Sequence, residues 1–228
     1  MAEPVPLTIR RDWPRIAPAT LERFKDAPTG FVVDAIGRAG ALHHGIRPVW
    51  RGPHFVGSAL PVWTTARDNL APYAAINFAK PVDVMLIATG EYEGAAVVGD
   101  VVVGMMRNAG IVAAVTDGLV RDVAGIVDVG IPVYARGLTP NSPFKHGPGT
   151  IGLPIAIGGQ TVEAGDLVVG DGDGVVIVPR WRIEEAAAEL AAIREKEAGM
   201  DALVRSGAKM PAWLGARLSG DAVRYVED

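Results

Sequence analysis

Short apolar runs alternate with amphipathic stretches along most of the chain, and the alternation is densest between residues 82 and 135. Val82–Ala88 is apolar apart from Asp83 and reads as a buried strand. A strand or turn then runs to Val98, a helix covers Asp100–Ala109, and a strand covers Ile111–Val115. After a turn at Asp117-Gly118, a helix is predicted from about Val120 to Val129 and a strand over Pro132–Ala135. Repeated strand–helix–strand units with apolar strands predict an α/β fold whose sheet is covered on both faces.

The flanks are less regular. Residues 1–18 are rich in proline and read as an extended arm. Ala19–Asp26 has helical spacing, and Thr29 is an N-cap candidate for a second short helix through Phe31–Arg38. Residues 40–53 read as loop and short strand, Val56–Thr65 as a strand broken at Pro61, and Pro72–Phe78 as a short helix. Beyond Pro140 a Pro, Gly, Asn and Ser loop leads to short strands at Thr161–Glu163, Leu167–Val169 and Val175–Val178. These predict a β-rich second layer. Ile183–Leu203 is a long helix with Ile183, Ala187, Leu190, Ile193 and Leu203 near one stripe. The division is therefore an arm (1–18), one α/β domain (19–206) and a tail (207–228). That tail carries Trp213, Leu214, Leu218, Tyr225 and Val226, an apolar set that must cover the core or a neighbouring subunit.

Composition narrows the function classes. The 228 residues contain no cysteine, which excludes disulfides, thiolate metal sites and a cysteine nucleophile. Lys and Arg total 22 against 26 Asp and Glu, a net charge of −4 with both signs interspersed. No basic block points to nucleic acid as a partner. The first residues, MAEPVPLTIRRDW, lack the apolar core of a signal peptide, and no run approaches roughly 18 apolar residues. A cytoplasmic protein without membrane contact is expected.

The candidate chemistry sits in the dense region. Gly99-Asp100 is followed, after 20 intervening residues, by Arg121-Asp122. A helix of about ten residues descends about 15 Å from Asp100. A strand of five or six residues climbs back about 17–20 Å. The helix start and the strand end then share one edge of the sheet, where open α/β sheets bind ligands. Free N–H groups of Gly99, Asp100, Val101 and Val102 would favour an anion there. Arg121 offers a planar fork for a carboxylate or phosphate. Asp100 and Asp122 offer hard oxygen ligands for Mg²⁺ or Mn²⁺. From spacing alone, Arg121 and Asp122 equally suit ordinary charges in the first turn of a helix, Asp122 favouring its dipole.

The stretch GDVVVGMMRNAGIVAAVTDGLVRDVAGI resembles the RraA-like family, which includes 4-hydroxy-4-methyl-2-oxoglutarate aldolases. The shared pattern is Asp100, Arg121-Asp122 and a small residue, Gly125, three positions on. GSALPVWTTARDN, PVYARG, GGQTVEAGDLVVGDGDGVVIVP, the REKE helix and the RYV tail extend the likeness over most of the chain. The resemblance implies an α-β-β-α sandwich like the phosphohistidine swivelling domain, in homotrimers or dimers of trimers with sites between subunits. It implies a divalent-metal-dependent lyase acting on a small 2-oxo acid. Catalysis would fall to Asp100, Arg121 and Asp122, with substrate on Arg121 and on the backbone from Gly99 to Val102. Asp122 would bind Mg²⁺ or Mn²⁺ directly, with Asp100 and, from a neighbouring subunit, Glu197 acting through water. The segments KPVD before the third strand and PAWLGARLSGD in the tail depart from the family pattern. The family also contains RraA itself, which binds ribonuclease E without catalysis; that is the rival reading.

Other motifs carry less. Gly170–Gly174 looks like part of a calcium loop but lacks the later bidentate Glu, and reads as a hairpin turn. His43, His44, His54 and His146 form no ligand pair, although His44 or His54 could line a pocket. Lys25, Lys80, Lys145, Lys196 and Lys209 read as surface residues, since a Schiff-base lysine needs an apolar pocket to lower its pKa.

Overall fold

The computed structural model describes residues 5–51, 54–220 and 223–226. In chain order the first elements are β1 (Leu7–Ile9), α1 (Pro18–Glu22), α2 (Thr29–Ala35), β2 (Arg47–Pro48), β3 (Phe55–Thr64) and α3 (Leu70–Ala75). Then follow β4 (Asp83–Ala88), β5 (Ala96–Val98), α4 (Asp100–Asn108), β6 (Ala113–Thr116), β7 (Leu119–Val120), α5 (Val123–Val129), β8 (Val133–Ala135) and β9 (Gly137–Leu138). The C-terminal third holds β10 (Gly149–Ile151), β11 (Ile155–Ile157), β12 (Gln160–Val162), β13 (Leu167–Asp171), β14 (Gly174–Val178), α6 (Ile183–Arg205) and α7 (Ala212–Leu218).

The main sheet runs β1-β10-β3-β4-β6-β8-β2, with β3, β4, β6 and β8 parallel. β3 is long enough to take two partners on its other edge. Phe55–Ser58 pair with β13, and Val62–Thr64 pair with β10. Pro61 does not break this strand as its sequence suggested. It falls between the two ladders, and its carbonyl accepts from Gly152 N–H at 2.9 Å. The hairpin β13–β14 likewise joins the main sheet through β3, so of the predicted second layer only the β11–β12 hairpin stands apart. The arm is tied down at β1, which pairs in parallel with β10.

Three apolar clusters fill the space on the two faces. One lies under α3, α4 and α5 and includes Leu60, Ile87, Val103, Met106 and Ile126. The second lies between the sheet and β11–β12, around Leu86, Val115, Tyr134 and Ile157. The third joins α1, α2 and α6 to β13–β14 through Phe24, Val32, Val176 and Leu190. Thr29 is not an N-cap as expected. It is the first helical residue, and Asp171 accepts from both its N–H and its hydroxyl at 2.8 Å. The stripe on α6 is shorter than its sequence suggested, since its buried residues are Ile183, Ala186, Ala187 and Leu190. No residue of α7 is buried. Residues 1–4 of the arm and 221–222 and 227–228 of the tail lie outside the described residues. Among the described residues no helix is long and apolar enough to cross a membrane.

One polar anchor lies within this core. Asp83 is fully buried and receives Arg15 Nη2 at 3.2 Å and Lys80 N–H at 2.9 Å, while Arg15 also stacks over the Trp13 ring at 4.0 Å. Burial nevertheless leaves the Asp83 carboxyl above its ordinary pKa, partly offset by these donors.

Candidate active site

The two motif segments meet because β5 and β7 pair in parallel, Ala96 with Leu119 and Val98 with Val120. With β9 they form a small separate sheet, and Arg121 N–H donates to Val98 carbonyl at 3.2 Å. The helix predicted from Val120 therefore starts later, at Val123, since residues 119–120 are strand. α4 and α5 thus begin side by side, and Gly99-Asp100 and Arg121-Asp122 share one cavity as the spacing argument required.

Glycines make the close approach possible. Gly99 precedes α4 in extended conformation, φ −135° and ψ −170°. Its role is spatial: a Cβ there would lie 2.5 Å from Asp122 Oδ2 and 3.1 Å from Arg121 Cγ. A Cβ on Gly125, in the first turn of α5, would collide with the Asp100 carboxylate. Asp122 itself is left-handed, φ 59° and ψ 44°, a region that Asp tolerates better than most side chains. Such backbone strain is concentrated at functional sites.

The Arg121 guanidinium is fixed on two sides. Nε donates to Asp122 Oδ2 at 3.1 Å, and Nη1 donates to Ser142 Oγ at 2.7 Å. Its outer edge remains for an anion, with Nη2 uncommitted among the described residues. At α4, Val101 N–H is taken by Asp100 Oδ1 at 2.7 Å, so the expectation of free N–H groups from Gly99 to Val102 does not hold for Val101. The N–H groups of Asp100 and Val102 have no acceptor among the described residues. The helix start keeps its positive dipole end toward the cavity.

The cavity is about 110 Å³, against roughly 300–1,000 Å³ for pockets that take drug-sized ligands. It suits a small acid. Asn69, Tyr73, Ser142 and Lys145 also line it, none of which the sequence motifs indicated. Asn69 Nδ2 donates to Val97 carbonyl at 3.0 Å, and its buried Oδ1 has no donor. Tyr73 lies on the short helix α3, with Asn69 at its start, and Ser142 and Lys145 come from a loop whose polar composition carries no spacing signal. Neither His44 nor His54 lines this cavity; His54 lines a separate pocket with Phe55, Arg107 and Ile131, and its Nε2 lies 2.9 Å from Ala27 carbonyl. Lys80 is exposed, as read from the sequence. Asp171 and Gly174 face each other in the β13–β14 hairpin, as a turn there requires. Glu197 lies on α6 beside Asp34, Arg38 and Lys196, outside this cavity of its own chain.

The donor set fits a hard divalent cation. Asp100 and Asp122 bring carboxylate oxygens to one small polar cavity with room for further ligands. Mg²⁺ typically takes one or two carboxylates and completes its shell with water and substrate. Among the described residues no group of three or more His, Cys, Asp or Glu side chains is placed to hold a metal by itself.

Residues 29–177 match the family model described as RraA-like, Aldolase/RraA, and the chain belongs to this family. A Halalkalibacterium halodurans protein provisionally named 4-hydroxy-4-methyl-2-oxoglutarate aldolase is 34% identical over 186 residues, covering 82% of this chain and 87% of its own. The crystal structure of an uncharacterised Pseudomonas syringae protein superposes with a TM-score of 0.77 at 25% identity, over 90% of this chain and all of the other. The RNA-processing inhibitor RraA of Thermus thermophilus shares the fold, with a TM-score of 0.63 at 23% identity over 68% of this chain and 93% of its own.

Proposed function

We propose that this protein is a divalent-metal-dependent lyase that cleaves a 4-hydroxy-2-oxo acid of the 4-hydroxy-4-methyl-2-oxoglutarate type to pyruvate by retro-aldol reaction, and that it also decarboxylates oxaloacetate. The observation that carries this reading is the convergence of Arg121, Asp100, Asp122 and the start of α4 in one cavity of small-acid size. The name of the Halalkalibacterium halodurans relative supports an aldolase.

The outer edge of Arg121 binds the substrate's C1 carboxylate, and the contacts to Asp122 and Ser142 hold that edge in place. Asp122 and Asp100 would hold Mg²⁺ or Mn²⁺, Asp100 through water. When bound, the cation supplies Lewis acidity at the 2-oxo group. The N–H groups at the start of α4 face the negative charge that grows on the pyruvate half as the C3–C4 bond breaks, an interaction often worth a few kcal/mol per donor. Asp100 would take the 4-hydroxyl proton through water as C4 becomes a carbonyl, and would return a proton by the same water to C3. Oxaloacetate loses carbon dioxide to give the same charge distribution, so one site serves both reactions.

The assembly belongs to the same proposal. Val101 and Leu138 are exposed beside Arg121 and Asp122, Met105 is exposed one turn beyond Val101 on α4, and α7 exposes Trp213. A homotrimer, or a dimer of trimers, would cover these side chains and bring Glu197 of a neighbour toward the site.

Pyruvate release from 4-hydroxy-4-methyl-2-oxoglutarate and from oxaloacetate tests the reading, with Mg²⁺ and then with excess chelator. Chelator-sensitive release is expected from both, and no release from either acid refutes the proposal. The fold shared with the RNA-processing inhibitor RraA favours a second reading, a regulatory protein that binds a ribonuclease. Co-elution with ribonuclease E, together with absence of pyruvate release, would select it.

A further inference from the structure

The segment between β9 and β10 forms one wall of the cavity through Ser142, Pro143 and Lys145, and it is strapped to the elements around it. Thr139 N–H donates to Val120 carbonyl at 3.0 Å, and Ala96 N–H donates to Asn141 carbonyl at 2.9 Å. Phe144 is held from both sides, its N–H on Arg67 carbonyl at 2.7 Å and its carbonyl on Asn69 N–H at 3.0 Å. These bonds place Ser142 against Arg121 and, three residues further, Lys145 above the ring of Tyr73 on α3, with Nζ 5.6 Å from the ring centre. Two cations from different elements therefore line a cavity of about 110 Å³.

They are not equivalent. Arg121 has an internal carboxylate partner in Asp122. Lys145 is in no ion pair among the described residues. A monocarboxylic ligand held by Arg121 leaves Lys145 unanswered, whereas a second anionic group on the same ligand would meet it. We propose that Lys145 is a specificity-determining residue that binds a carboxylate on the leaving half of the substrate, so that the site selects dicarboxylic over monocarboxylic 2-oxo acids. The proposal rests on the 2-oxo acid reading of the Arg121 cavity. Tyr73 supplies the face over which the Lys145 ammonium is held, and the strap supplies its anchorage.

A matched pair of unreactive ligands isolates the second carboxylate. 2-Oxoglutarate and 2-oxopentanoate have the same chain length and differ in that group alone. Calorimetry with the full chain and saturating Mg²⁺ gives the affinity ratio for wild type, Lys145→Met and Lys145→Arg. A charge-assisted hydrogen bond predicts about 10- to 100-fold preference for 2-oxoglutarate in wild type. Lys145→Met should reduce that ratio to near unity, and Lys145→Arg should retain part of it. Equal affinities in wild type, or a ratio that survives Lys145→Met, would overturn the role of Lys145 while leaving the 2-oxo acid site standing. Binding of neither acid would overturn the reading of the site and this proposal together.

Discussion

The carboxylate of Asp100 occupies the space that a side chain on Gly125 would need. Gly125→Ala is therefore expected to displace Asp100 while keeping the fold. Alanine favours a helix over glycine by about 0.5–1 kcal/mol, so thermal stability should hold or rise. Turnover should fall by about tenfold or more, because a misplacement near 1 Å can cost on the order of 100-fold. Full activity with an unchanged melting temperature would show that the position of Asp100 does not matter.

Arg121→Lys should lower kcat/KM for oxaloacetate by at least about tenfold. An ammonium cannot hold Asp122 and Ser142 and still present a flat edge to a carboxylate. A variant keeping more than half of wild-type efficiency would remove Arg121 from the reaction.

Asp122→Asn retains a side chain suited to the left-handed backbone at this position but loses the charge. Calorimetric titration with Mn²⁺ is expected to show affinity reduced by more than about tenfold. Unaltered affinity would move the metal elsewhere.

Arg15→Met should destabilise the protein in a pH-dependent way. Asp83 already holds its proton more tightly in the folded chain than when unfolded, chiefly through burial, and Arg15 counteracts this. Without Arg15 the shift grows. The deficit is expected to be largest at neutral pH, about 3–5 kcal/mol for a broken buried pair. It should shrink as pH falls through the raised pKa, since a protonated Asp83 needs no cation. Melting temperatures of both proteins at neutral pH and near pH 5 check the sign, and a constant gap would refute it.

Truncation after Ser206 removes α7, whose Trp213 is 64% exposed on a single chain. A smaller particle mass by light scattering and reduced pyruvate release are expected. An unchanged mass with normal release would mean that the tail neither joins subunits nor shapes the site.

The central strands and helices were legible in the sequence because buried parallel strands are apolar throughout and α4 places Val102, Val103 and Met106 on one face. The convergence of Asp100 with Arg121 was legible for the same reason, since the spacing of regular elements fixes where their ends lie. Residues 119–120 were not, because two residues carry no period and their strand character comes from the partners β5 and β9. Pro61 misled for a related reason: its tolerance depends on which edge of β3 lacks a partner at that point. Asn69 and Tyr73 reach the cavity from the start and middle of the short helix α3, and Ser142 and Lys145 from a loop; these positions are set by tertiary hydrogen bonds invisible to local pattern.

The segment from Thr139 to Phe144 is anchored largely by main-chain groups, bonds that any non-proline residue at the donor positions could make. Its side chains are correspondingly free to vary without loosening the strap. The bond-breaking residues sit on helix starts, where Gly99 and Gly125 permit little change, and Ser142 is tied to Arg121, whereas Lys145 sits on an exchangeable rim. Grafting residues 143–145 from another member of the fold should retune ligand preference without rebuilding the reaction centre.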